Sequence, residues 1–244
     1  MRRFGLIGYP LSHSFSQQYF TDKFRQLGIT DCVYENFPIS QIEEFSIILR
    51  EYPDLEGINI TIPYKEKVIS FLSKQTEVVK KTGACNCIHI TGAELIGYNT
   101  DVIGFEQSLL PLLAPHHTNA LVLGTGGAAK SVYYVLQKLG ISYIEVSRHA
   151  GTAGQLTYQQ VTPEIVSKHS LIINTTPLGM YPKTGECPAL PYEAITPQHY
   201  LFDLIYNPEV TLFLQKGKER GAIIKNGGDM LTIQAEESWR IWNQ

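Results

Sequence analysis

The run "NITIPYK" (residues 59–65) closes a β-branched stretch on a proline and sets an ammonium group two residues beyond it. Ile60 and Ile62 alternate with Asn59 and Thr61, so a strand here turns hydrogen-bonding side chains to one face. Pro63 cannot donate to a sheet ladder, which puts Lys65 where the chain leaves the sheet toward a helix. Lys65 is then either an ordinary surface charge or part of a site built at this strand end. Asp101, in "YNTDVIGF", either caps the helix that follows or pairs with Lys65 and orients it. Ser14 and Ser16 lie near another helix start, where hydroxyls either cap the helix or hold a carboxylate.

A second group with chemistry lies in "LVLGTGGAAK" (121–130). Gly124, Gly126 and Ala129 fit G-x-G-x-x-A directly after a strand and at the opening of a helix. That is the context in which glycines allow a tight turn and a pyrophosphate approaches a helix N-terminus. The competing reading is a turn that binds nothing. The next strand ends in "EVSRH", with Glu145 inside it and Ser147 and Arg148 at its tip. A guanidinium there pairs with a ribose 2′-phosphate where a carboxylate would repel it, so NADP is favoured over NAD.

Positioning these groups takes alternating elements. Residues 4–8 read as a strand, and "SFSQQYFTDKFRQLG" as an amphipathic helix with Phe20, Phe24 and Leu27 on one face and Gly28 as its stop. "CVYENFPI" is a strand, and "SQIEEFSIILREY" a helix opened by a Ser40/Glu43 capping box. "GINITIP" is a strand, followed by helices near 65–72 and 76–82, a hairpin around Thr91-Gly92, and a helix from about 101 to 110. After the polar break "PLLAPHHTN" come strands at 120–124, 141–147, 170–174, 200–206 and 222–225. Helices follow the first of these and occupy 209–220. This alternation predicts an α/β fold with a parallel sheet covered on both faces, and two domains. The expected division is 1–101 with 229–244 as a substrate and catalytic domain and 102–228 as a Rossmann-like dinucleotide-binding domain. The last helix is expected to pack back on the first domain.

Composition bounds the partners. The 244 residues carry a net charge of -3, which leaves no basic footprint for nucleic acid. No apolar stretch is long enough to span a membrane, and the N-terminus runs straight into a strand, as expected of a cytoplasmic protein. Cys32, Cys85, Cys87 and Cys187 form neither a zinc spacing nor a disulfide framework, so free thiols and no metal are expected.

At this point the chain resembles shikimate dehydrogenases along essentially its whole length. "GYPLSHSFS" is similar to that family's N-P-x-x-H-S-x-S opening, "NITIPYKE" to N-V-T-x-P-x-K-E, and "GACNCI" to G-A-x-N-T. "YNTDVIGF" is similar to N-T-D-x-x-G, "INTTPLGM" to N-x-T-P-x-G-M, and "NGGDMLTIQAEESWRIW" to the family's last helix. The resemblance implies NADPH-dependent reduction of 3-dehydroshikimate to shikimate in aromatic biosynthesis, by a monomer or homodimer. It implies Lys65 and Asp101 as the catalytic pair. It implies Ser14, Ser16 and Tyr206 on the substrate carboxylate, and Asn59, Thr61, Asn86 and Gln234 on the ring hydroxyls. Gly124, Thr125, Gly126, Gly127, Ala128, Ser147, Arg148, Thr175 and Met230 would serve the cofactor. The chain departs from the pattern at Cys87, where threonine is usual, at Ser147 and His149, where Asn-Arg-Thr is usual, and at Asp229, where glycine is common. Two alternatives stay open: a quinate/shikimate enzyme preferring NAD, and a non-catalytic binding or regulatory protein on the same fold. A methyltransferase reading fails because no acidic residue ends the second strand of the glycine-loop sheet.

Overall fold

The computed structural model describes residues 1–11, 15–149, 151 and 154–244. The chain divides into two compact units, residues 1–100 with 235–244 and residues 101–234. The first contains β1 (Arg2–Gly8), α1 (Phe15–Leu27), β2 (Cys32–Pro38), α2 (Phe45–Glu51), β3 (Leu55–Ile60), β4 (Lys74–Gln75), α3 (Glu77–Thr82), β5 (Cys87–Thr91) and β6 (Glu94–Tyr98). Its sheet runs in the order β2-β1-β3-β5-β6-β4. Strands β2, β1 and β3 are parallel, while β5 pairs antiparallel with both β3 and β6. The second unit contains α4 (Asp101–Leu109), β7 (Asn119–Leu123), α5 (Gly127–Lys138), β8 (Ser142–Ser147), β9 (Leu156–Thr157) and α6 (Pro163–Lys168). It continues with β10 (Leu171–Asn174), β11 (Tyr200–Asp203), α7 (Leu212–Glu219), β12 (Ile223–Lys225) and the first half of α8 (Gly228–Trp242). Its sheet, β12-β11-β10-β7-β8-β9, is parallel throughout. Among the described residues no helix is long and apolar enough to cross a membrane.

Strand period explains how one strand serves two environments. Ile58 and Ile60 of β3 enter a core with Ile7, Phe45, Val68 and Ile88. Asn59, one residue out of phase, turns to the other face, which is covered by α1 and the last turns of α8. There Phe4 stacks on Trp242 with ring centroids 4.9 Å apart, and Phe20 stacks on Tyr34 at 4.6 Å. Ala235, Ile241 and Trp242 complete this cluster, so the final helix does pack back on the first unit. The Trp242 indole donates to the Ile88 carbonyl at 3.0 Å. It lies directly over Gly57, where a β-carbon would collide with the indole ring.

Local details differ from the sequence expectation, the short strands β4 and β9 among them. The capping box at the α2 entrance uses Glu44, which accepts from the Ser40 and Gln41 backbone N–H groups at 3.0 and 2.8 Å. Residues 67–71 form a 3₁₀ turn rather than an α-helix, closed by the Leu72 N–H on the Ile69 carbonyl. Strand β11 stops at Asp203, whose side chain takes the Ile205 N–H and so leads the chain out of the ladder. Helix α6 has no counterpart in the expectation; it is six residues long, opened by the Thr162 cap with Pro163 next to it.

Gly57→Ala is expected to destabilise the protein by about 1–3 kcal/mol, the usual range for overpacking a filled core. Thermal denaturation should show a midpoint several degrees lower. An unchanged midpoint would mean that the indole can move aside at no cost.

Candidate active site

In the first unit the polar groups gather where β3 ends and β5 begins. After Ile60 the Thr61 N–H still bonds the Ile7 carbonyl, but its own carbonyl turns to accept from Tyr64. Tyr64 is buried, and its hydroxyl donates to the Ile39 carbonyl at 2.7 Å. This anchors the chain just before Lys65, whose carbonyl accepts the Cys85 N–H at 2.8 Å. Half-buried Lys65 is therefore fixed by backbone on both sides, beside the segment that carries Asn86. Asn99 holds the return of the chain by donating to the Ala84 carbonyl at 3.0 Å, and Asp101, the first residue of α4, is buried.

The side chains here form a connected chain of hydrogen bonds. The Ser16 hydroxyl bonds the Tyr34 oxygen, and the Tyr34 hydroxyl donates to Asn59 Oδ1 at 2.9 Å. Burial holds the Tyr34 phenol well above its ordinary range, so it remains a donor. Asn59 Nδ2 donates to the Asn86 carbonyl at 3.2 Å and to Ser238 Oγ at 2.9 Å. Ser238 and Thr100 hydroxyls lie 3.3 Å apart. Asn86 closes the set: its Oδ1 accepts the Thr100 N–H at 2.6 Å and its Nδ2 donates to Thr100 Oγ1 at 3.0 Å. Ser16, Asn59, Thr61, Lys65 and Asn86 thus share one strand-end region, whereas Ser14 lies outside the described residues.

In the second unit Gly124 has φ +105°, and a β-carbon there would meet Thr175 Oγ1 at 2.7 Å. Only glycine meets both demands. The loop is tied down by Thr175, whose hydroxyl donates to the Leu123 carbonyl at 2.7 Å, and by Tyr133, whose hydroxyl donates to Gly124 O at 2.9 Å. Gly126 caps α5 and faces open space, leaving Thr125, Gly127 and Ala128 around a helix N-terminus that favours anions. At the tip of β8 the Ser147 hydroxyl donates to the His149 carbonyl, and Arg148 is exposed. Glu145 is turned to Gln155 and lies within the strand. Met230 and Gln234 lie on α8, where Gln234 Nε2 donates to the Leu231 carbonyl at 2.9 Å, and Asp229 is paired with Lys225. Met230 O and the Gln234 Cβ sit against Gly104 of α4.

Sequence reasoning missed a buried network under the Tyr206 loop. Asn174 Oδ1 accepts from the Thr176 N–H and hydroxyl, and its amide donates to Asp203 Oδ1 at 3.0 Å. Asp203 also accepts from the Ile205 N–H at 3.0 Å and the Thr211 hydroxyl at 2.6 Å. Thr211 in turn caps α7. The loops after β10 and β11 are joined again where the Tyr181 N–H donates to the Asn207 carbonyl at 3.2 Å. The available signal was a polar residue ending each of two apolar strands, "LIIN" and "YLFD". Ser238 and Tyr34 were missed likewise; Ser238 shows as the lone hydroxyl in the buried stripe 234/235, 238, 241/242 of α8.

A parallel sheet with a glycine loop opening a helix, beside a separate mixed-sheet unit with a lysine at its strand ends, defines a two-unit α/β protein of the Rossmann-like class. The comparisons make this specific. A family model described as the shikimate dehydrogenase substrate binding domain matches residues 6–88. The chain is 36% identical to a shikimate dehydrogenase (NADP(+)) of Carboxydothermus hydrogenoformans, covering 98% of this chain and 90% of that one. The crystal structure of shikimate dehydrogenase from Aquifex aeolicus superimposes with a TM-score of 0.89 at 32% identity, over 100% of this chain and 92% of that one. A Thermus thermophilus shikimate 5-dehydrogenase, solved in complex with NADP(H) and shikimate, gives a TM-score of 0.87 at 29% identity, over 99% and 93%. The chain belongs to the shikimate dehydrogenase family.

Asp203 supplies a pH-dependent test of this region. Burial outweighs the donors around it and pushes the carboxyl from its ordinary 3.8 up to about 6. Its contribution to stability is therefore fully present below about pH 4 and is lost as pH rises through about 6, a total of about 3 kcal/mol. Asp203→Asn cannot take up this proton. In chemical denaturation the stability gap between wild type and Asp203→Asn should shrink by about 1–2 kcal/mol from pH 5 to pH 7.5. A gap that stays constant or widens would show that the carboxyl is ionised throughout.

Proposed function

We propose that this chain is an oxidoreductase interconverting 3-dehydroshikimate and shikimate with NADP, in the biosynthesis of aromatic amino acids. The observation that carries this reading is nearly full-length similarity, at 32–36% identity over 98–100% of the chain, to relatives named shikimate dehydrogenase (NADP(+)). We take the working form to be a cytoplasmic monomer or homodimer.

The residues fit the dinucleotide. Open space before Gly126, at the start of α5, suits a pyrophosphate lying against backbone N–H groups contributed by residues 124–128. Arg148 and Ser147 would hold the 2′-phosphate, with Thr175 and Met230 toward the nicotinamide. NADPH, when bound, supplies the hydride that reduces the ring carbonyl carbon. Lys65 stabilises the oxygen as it gains alkoxide character and delivers the proton from Nζ. Asp101 is assigned the role of orienting that ammonium. Ser14, Ser16 and Tyr206 fix the substrate carboxylate, while Thr61, Asn86, Gln234 and Asn59 select the ring hydroxyls. Asn59 gives both amide hydrogens to the protein, so a ring hydroxyl meeting it would donate to its oxygen.

An absorbance assay at the nicotinamide band, with shikimate or quinate against NADP or NAD, tests the reading directly. Shikimate with NADP should be the fastest pair. Turnover of quinate with NAD in preference would replace the reading, and no turnover of any pair would favour a binding protein. In the same assay Lys65→Met, which keeps the stem and removes the charge, should lower kcat about 100-fold or more while KM for shikimate stays within about tenfold. Near-normal kcat would remove Lys65 from the chemistry.

Arg148→Ala should raise KM for NADP about 10- to 150-fold, the value of a charge-assisted pair worth about 1.5–3 kcal/mol. KM for NAD should change little. Equal effects on both cofactors would leave Arg148 no part in reading the 2′-phosphate.

A further inference from the structure

We infer that Ser238, on the last helix, is a positioning residue for the substrate side of this site. Ser238 is fully buried, and its hydroxyl lies where three elements meet. It accepts the Asn59 amide of β3 at 2.9 Å, stands 3.3 Å from Thr100 Oγ1, and bonds the Cys87 thiol of β5. Asn59 is held on its other side by Tyr34, which is itself bonded to Ser16. Thr100 holds both ends of the Asn86 side chain. One hydroxyl therefore sits at the centre of a chain that runs from Ser16 to Asn86, the residues proposed above for the two ends of the substrate.

The need for this hydroxyl follows from what surrounds Asn59. A primary amide has two hydrogens to place, and one is already used on the Asn86 carbonyl. In a buried setting the second must also be accepted, or the amide rotates to find a partner. Rotation would exchange Oδ1 and Nδ2 and set a donor against the Tyr34 hydroxyl. That would disturb the hydroxyl on which Ser16 rests and the carbonyl side of Asn86 together. The strand register supplies an independent handle: Cys87 pairs directly with Asn59 across β3 and β5, and its thiol already reaches Ser238. A hydroxyl placed at position 87 thus falls beside the same amide.

This inference rests on the proposed shikimate activity, and the test separates the two. Ser238→Ala should raise KM for shikimate about tenfold, with KM for NADP within about twofold and kcat within about threefold of wild type. The double variant Ser238→Ala/Cys87→Thr should recover most of the lost affinity, because a hydroxyl is returned to Asn59 from the strand side. Ser238→Cys, which keeps size and a weak acceptor, should fall between wild type and Ser238→Ala, and serves if the alanine variant does not fold. A purely packing role would lower the melting temperature and leave both KM values alone. The inference is overturned by an unchanged shikimate KM, by equal rises for shikimate and NADP, or by failure of the threonine to rescue. Absence of shikimate turnover in the wild type would instead overturn the proposed function.

Discussion

A buried primary amide must satisfy two donors and an acceptor, and much of the first unit is arranged to meet that demand at Asn59. Its partners come from β2, from the start of β5 and from α8. The same segments carry Tyr34, Cys87, Ile241 and Trp242 into one cluster, so the polar bonds and the packing enforce one register. Slipping β3 by one residue would put Asn59 into the aliphatic core and Ile58 against the hydroxyls. The strand-end groups beyond it, Thr61 and Lys65, inherit their places from this lock.

The second unit solves a similar problem with a charge in place of an amide. Asp203 gathers donors from the loops after β10 and β11 and from the α7 cap. Burying a carboxylate is costly, and the raised pKa records that the donors offset the cost only in part. What the bonds secure is geometry: the loop with Thr175 and Thr176 and the loop with Tyr206 and Asn207 share one set of anchors. The glycine loop is fastened to the same strand ends through Thr175 and the Leu123 carbonyl.

Much of this was legible in one chain. The glycine loop and its helix, the alternation of strands and helices, and the return of the last helix follow from apolar periodicity and from glycine placement. The family is legible because six motif segments occur in order. The positioning residues were not legible, and the reason is physical. Asp203 ends an apolar run, Tyr34 stands in an alternating strand and Ser238 among the charges of "AEESWR", so none is marked locally, and their value depends on a partner 29, 25 or 179 residues away. Spacing arguments reach neighbours in one element; they do not reach cross-strand and helix-to-sheet pairs. The 3₁₀ turn at 67–71 and the early end of β11 were missed too: apolar pattern does not distinguish the first from an α-helix, and at the second the Asp203 side chain takes the Ile205 N–H.

The return of α8 bears on how the chain is made. The first unit includes residues 235–244, so its Phe4, Phe20 and Tyr34 face and the flat back of Gly57 stay uncovered until that stretch has been synthesised. A chain ending at residue 100 has α1 but not α8 to cover this face, which leaves part of its aromatic surface open to aggregation. The second unit, whose sheet is contiguous in the chain, can finish first. The unit that is begun first is thus the one whose last part is made last, and Trp242 belongs to its core.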